Sequence, residues 1–253
     1  MKKTVVKIII YSGSYLLLVF LINAIFIRPG VMRIYGQNPS QMLFAQAFAG
    51  VFVPVSLVIP AFLLMFWRFK VNRLKKTIIF SAIYAVLTSL AFLMFLIPDF
   101  SIVSILFALL IIISFTILTI SLDYFIFSFK LPNYWRSLIV IIIVIAMLTS
   151  VLWMNPILQH NTKNPESLKS LVNITIAANP AVVTLEKGFN INLFRSGNFY
   201  SHSGGAGLSI IGDYFSIISY WSPAILYPLM YFAIALLFFI SAFIIRRIHK
   251  TQP

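Results

Sequence analysis

The chain has 253 residues, of which 61% are hydrophobic and only 9% charged, with a mean hydropathy of +1.00. Soluble globular domains carry nearer a quarter charged residues, so a protein solvated by water alone is excluded. The net charge of +14 would suggest nucleic acid in a soluble chain, but here the basic residues flank apolar runs, where the positive-inside rule and anionic lipid account for them and nucleic acid has no part.

A membrane span needs about 20 apolar residues, and the apolar runs predict about six of them. The first covers 8–27 and is closed by Arg28-Pro29-Gly30. It lacks a small-residue cleavage site and follows a short Lys2, Lys3, Lys7 flank, which predicts a retained span and not a signal peptide. The second, 43–67, contains Pro54 and Pro60. Each proline frees a backbone carbonyl, so a bend or a partly broken, packed helix is expected there. Arg68, Lys70, Arg73, Lys75 and Lys76 then form the densest basic cluster of the chain. The third span, 77–97, ends at a Pro98-Asp99 turn, and the fourth, 101–127, follows at once. A short link from Lys130 to Arg136 leads to the fifth, 137–154, which Asn155-Pro156 stops.

The segment 155–219 differs in character, being richer in Asn, Ser and Gly. Ser167 to Leu185 is mostly apolar but interrupted at Asn173 and at Asn179-Pro180, which suits a pair of short interfacial or re-entrant helices better than a span. The last span, 221–245, ends in Arg246, Arg247, His249 and Lys250. With both ends inside, the cytoplasmic segments hold 13 basic residues in short stretches, and the outer ones hold six over a much greater length. That asymmetry predicts both termini cytoplasmic. Trp67, Tyr134, Trp135, Trp153, Tyr220, Trp221 and Tyr227 lie near the predicted boundaries and form an interfacial aromatic belt. The expected fold is therefore all-α, a single polytopic domain over 1–253 with about six transmembrane helices, lodged in the plasma membrane.

Few residues suggest chemistry. An intramembrane carboxylate is costly, so Asp123 stands out. Thr116, Thr119 and Asp123 share one helix face, and Ser81, Tyr84 and Thr88 repeat that spacing in the third span. These residues are candidates for a polar path between helices. The alternative is that Asp123 meets Arg136 or the headgroups, while Ser and Thr bond to their own helices. His160, His202 and His249 have no metal-ligand spacing, and Ser203-Gly204-Gly205 lacks the strand–turn–helix setting of a catalytic serine. With no cysteine, there is no disulfide, thiolate nucleophile or Cys-based metal site. Asn173-Ile174-Thr175 matches the N-glycosylation pattern, which matters only in a eukaryote. No phosphate-binding G-x-x-x-x-G-K-[ST] sequence occurs, so neither ATP hydrolysis nor any cofactor is expected of this chain.

This layout resembles the membrane subunit of an ABC-2 type transporter. The basic segment Arg68, Lys70, Arg73, Lys75, Lys76 falls where that family has its cytoplasmic coupling segment. The region after Asn155-Pro156 falls where it has a long external segment before the last span. Asn179-Pro180 and the stretch from Tyr227-Pro228-Leu229 to Arg246-Arg247 are similar to the ends of bacterial members. The resemblance implies a substrate path shared with a second membrane subunit, the same or related, and ATP bound by a separate cytoplasmic P-loop ATPase. It implies amphipathic, lipid-like or peptide cargo. A non-catalytic accessory or assembly protein and a membrane-embedded lipid enzyme are the competing readings.

Overall fold

The computed structural model describes residues 13–35, 41–66, 82–84, 86–91, 93, 100–150, 157, 165–189, 191 and 225–251. Within them the regular structure is entirely helical. Helix α1 covers 13–35, α2 Gln41–Phe66, α3 Ile102–Phe127, α4 Asn133–Leu148, α5 Pro165–Ala177, α6 Pro180–Val183 and α7 Leu226–Thr251. Residues 82–84 and 86–91 are helical as well. Four helices are long and apolar enough to cross a membrane: Gly13–Arg33 in α1, Phe44–Ala61 in α2, Ile102–Phe127, and Leu226–Ile248 in α7.

Helix α3 is the centre of the bundle, with 15 of its 26 residues buried. A helix this apolar on all sides has no solvent face, and α7, α2, α4 and α6 pack around it. Ser101 starts it, accepting a 3.1 Å hydrogen bond from the Ser104 N–H and satisfying one of the free donors of the first turn. Helix α7 runs parallel to α3, since Tyr231 meets Phe115 and Phe239 meets Tyr124 further along both chains. Leu17, Phe20 and Phe26 of α1 and Leu236, Leu237 and Phe243 of α7 are exposed, as lipid-facing residues are.

Four predicted boundaries move. Helix α4 ends at Leu148 and not at 154, and its 16 residues leave it outside the four long apolar helices. Arg28-Pro29-Gly30 does not close the first helix, which continues to Tyr35. A π-helical turn, Asn23–Ile27, precedes the proline, and the Arg28 N–H reaches back to the Asn23 carbonyl. The wider turn already shifts the hydrogen-bond ladder, so the N–H that Pro29 lacks breaks nothing further. Helix α4 starts at Asn133, four residues earlier than expected, because Pro132 holds an extended backbone that sets the start. Helix α7 continues past Ile245 to Thr251, and its terminal Arg and Lys residues suit the negative end of a helix dipole. The breaks expected at Pro98-Asp99 and Asn155-Pro156 lie outside the described residues.

Among the described residues between α4 and α7 the chain forms a helix, a break and a second short helix, as the interruption at Asn179-Pro180 suggests. After α6 a π-helical turn, Thr184–Gly188, completes the second limb. Gly188 sits so close to α3 that a Cβ there would approach the Phe107 ring to 3.2 Å.

Candidate functional site

The candidate site is a set of buried hydroxyls from three segments, built around a proline. Pro60 has no N–H, so the carbonyl four residues back, on Ser56, has no partner within α2. Tyr84, 3% exposed, donates its hydroxyl to that carbonyl. Tyr15 of α1 lies edge-on to Tyr84 with ring centroids 5.9 Å apart, and Phe52 and Phe48 extend the aromatic wall along α2. The hydroxyls of Tyr15, Ser56 and Thr88 are near neighbours of the Tyr84 hydroxyl. Even so, none of the three has a partner in hydrogen-bond geometry. Buried hydroxyls are normally paired, so three idle ones converging on a fourth make a small buried polar cluster with apolar walls.

This cluster takes in only part of the predicted polar path. Tyr84 and Thr88 belong to it, and Tyr15 and Ser56 join them. The helical spacing of Thr116, Thr119 and Asp123 is real, but their side chains engage elsewhere. Thr116 donates to the Ile112 carbonyl at 2.7 Å and Thr119 to the Phe115 carbonyl at 2.9 Å, each within its own helix. Asp123 lies 2.7 Å from Nε of Arg136, a charge pair whose N–H is not aligned for a regular hydrogen bond. Both charges oppose their own helix dipoles, with Asp123 in the last turns of α3 and Arg136 in the first turn of α4. Pairing them across the link removes both conflicts. Ser81 and the basic residues Arg68, Lys70, Arg73, Lys75 and Lys76 lie outside the described residues.

A second polar junction holds the helix break. Asn179, 1% exposed, donates to the Leu148 carbonyl at 2.7 Å and accepts from the N–H groups of Ala181 and Val182 at 3.1 Å. It thereby caps the end of α4 and the start of α6 with one side chain. Ser150 donates to the Thr175 carbonyl at 3.0 Å, and Tyr231 to the Ala177 carbonyl at 2.8 Å. Each of these bonds satisfies a backbone group that the break would otherwise leave open.

Ser56 and Tyr15 carried a partial signal in the sequence. A proline four residues after Ser56 marks its carbonyl as free, but nothing local says which donor answers it. Among the described residues no group of three or more His, Cys, Asp or Glu is placed to hold a metal ion. The cluster offers only neutral donors and acceptors. Comparison with protein-family models, with curated proteins and with solved structures finds no match for this chain.

Proposed function

We propose that the chain is the membrane-spanning subunit of an ATP-driven transporter, working with a second membrane subunit and a separate cytoplasmic P-loop ATPase. In this reading it crosses the plasma membrane about six times, with both termini inside and the segment between α4 and α7 entering from outside.

The observation that carries the reading is the helix–break–helix before α7. At 1.5 Å per residue, Phe115, which meets Tyr231 beside the break, stands about 18 Å from the Phe127 end of α3. Leu148, bonded to Asn179, stands about 22 Å along α4 from its start. The break is then about 20 Å from the α3–α4 link, within a hydrocarbon slab of about 30 Å. The second limb returns toward the Ser101 end of α3, where Phe189 meets Phe100 at 4.8 Å. Irregular backbone at such depth is tolerated only when protein groups satisfy it, as Asn179, Ser150 and Tyr231 do. A hairpin of this kind just before the last helix is what the transporter layout calls for.

Parallel packing of α3 and α7 supports the same topology. If α4 crosses once between them, an α5–α6 hairpin that enters and leaves on one side fits that arrangement. The cargo path would pass the hydroxyl cluster of Tyr15, Ser56, Tyr84 and Thr88, whose neutral hydroxyls and aromatic walls suit an amphipathic molecule better than a bare ion. Asp123, tied to Arg136, makes a poor general acid or base, which weighs against a lipid-modifying enzyme.

Affinity purification of the tagged chain in mild detergent, followed by mass spectrometry of what comes with it, tests the proposal. A P-loop ATPase is expected in near-stoichiometric amount, and neutralising Arg68, Arg73 and Lys75 together is expected to release it. Recovery of a different membrane protein with no ATPase would favour an accessory role and discard the transporter reading.

A further inference from the structure

Where α3, α4 and α7 meet near the 128–132 link, two guanidinium groups flank the Phe127 ring, and Asp123 pairs with Arg136. Arg136, 6% exposed, faces Asp123 and lies 5.2 Å from the centroid of the Phe127 ring. Arg246 stands 4.6 Å from that same centroid and 3.9 Å from the centroid of Tyr124. Nη1 of Arg136 and Nη2 of Arg246 are both buried with no hydrogen-bond partner. Buried guanidinium N–H groups without acceptors are costly. An acceptor-only group with several oxygens and a negative charge would relieve that cost, and phosphate is the fork-matching choice.

The surroundings say where the phosphate comes from. Phe129, Tyr134 and Trp135 are 51%, 61% and 56% exposed around the link, a rim suited to the headgroup level of a membrane. From Arg246 an exposed apolar strip runs back along α7 through Phe243 and Ile240. A soluble anion has no use for that strip, whereas an acyl chain would lie along it.

We propose that Arg136 and Arg246, backed by Tyr124 and Phe127, bind the phosphate of an anionic phospholipid at the cytoplasmic end of the bundle. The chain's positive charge then serves a discrete site as well as topology, and the lipid ties α7 to the α3–α4 link. The inference rests on membrane insertion and not on the ATPase partner, so it survives if the transporter reading fails.

The test uses the full chain in mild detergent, with lipid retention read by native mass spectrometry and unfolding temperature read in parallel. Phosphatidylglycerol is expected to be retained at about one molecule per chain and to raise the unfolding temperature, and phosphatidylcholine to do neither. Arg246→Gln is expected to weaken phosphatidylglycerol binding about tenfold, whereas Arg247→Gln, at an exposed neighbour, should change it less than about twofold. If Arg246→Gln does not fold, Arg246→Lys carries the test: it keeps the charge, loses the fork, and should bind with intermediate affinity. Equal retention of both lipids, or unchanged binding in the Arg246 variants, overturns the site. A matching rise in unfolding temperature with inorganic phosphate alone, together with displacement of the lipid, overturns the lipid assignment in favour of a soluble anion.

Discussion

Asn179→Ala is expected to lower the stability of the folded chain by about 3 kcal/mol, measured by reversible unfolding in mixed micelles. The substitution removes a donor to the Leu148 carbonyl and an acceptor shared by the Ala181 and Val182 N–H groups. Asn179, Ala181 and Val182 are buried and Leu148 is half-buried, so water replaces the lost side chain poorly. Loss of a helix N-cap accounts for about 1 kcal/mol, and the carbonyl left open adds about 1–3 kcal/mol. Asn179→Ser separates the two contributions. It retains an oxygen that can cap α6 but cannot reach Leu148, so it should fall about midway between wild type and Ala. Tyr231→Phe, which removes only the bond to the Ala177 carbonyl, should cost about 1 kcal/mol. Equal stability of wild type and Asn179→Ala would mean that the break between α5 and α6 does not depend on this junction.

Tyr84→Phe is expected to cost about 2 kcal/mol, and most of that loss should vanish in a Pro60→Ala background. The tyrosine hydroxyl matters because it answers the Ser56 carbonyl that Pro60 leaves without an intrahelical donor. An alanine at position 60 restores that N–H, and α2 then satisfies the carbonyl itself. The cycle therefore predicts a coupling of about 1.5 kcal/mol between two residues on different segments. The same penalty for Tyr84→Phe in both backgrounds would show that the bond has no connection with the proline. Because Pro60→Ala also loosens the unfolded chain, the coupling is the informative quantity, not the single-variant stability.

Local rules made α3 legible. A serine cap precedes an uninterrupted apolar run, and the structure begins and ends that helix within a residue of the reading. The break at Asn179-Pro180 was legible for the same reason, since an Asn before a Pro is a strong cap and a strong interruption. The pairing of Asp123 with Arg136 stood among the sequence-level alternatives, because two opposite charges flank one short link. Illegible features were those in which a local signal has a distant answer. Arg28-Pro29-Gly30 reads as a stop, but a π-helical turn upstream lets the helix continue. The Thr116, Thr119, Asp123 stripe has the right period, yet a threonine on a helix can bond its own backbone, and both do so here. Pro60 marked the Ser56 carbonyl as open, but only the packing of three segments brings Tyr84, Tyr15 and Thr88 to it.

The polar features of the bundle divide by depth and by kind. Neutral hydroxyls meet between α1, α2 and residues 82–91, amide and hydroxyl caps hold the break beside α4, and charges gather at the 128–132 link. The proposed transporter role would use this separation, since a cargo path has to be polar enough to admit a molecule and weak enough to release it, while charged groups are most tolerable at the membrane boundary.

The sidedness of the chain is the most direct test of the account, and the absence of cysteine makes it simple, since a single introduced Cys is the only label site. Cysteines would be placed one at a time at Arg33, Ser101, Ser167 and Ile191, and at Lys130 and Arg247, then treated in intact cells with a membrane-impermeant maleimide. The first four are expected to react from outside, and Lys130→Cys and Arg247→Cys only after permeabilisation. Reaction at Ser167→Cys and Ile191→Cys from opposite sides would make the α5–α6 segment a full crossing. Reaction at Ser101→Cys and Lys130→Cys from the same side would mean that α3 does not span the membrane at all. Either result would contradict the re-entrant hairpin and, with it, the transporter layout.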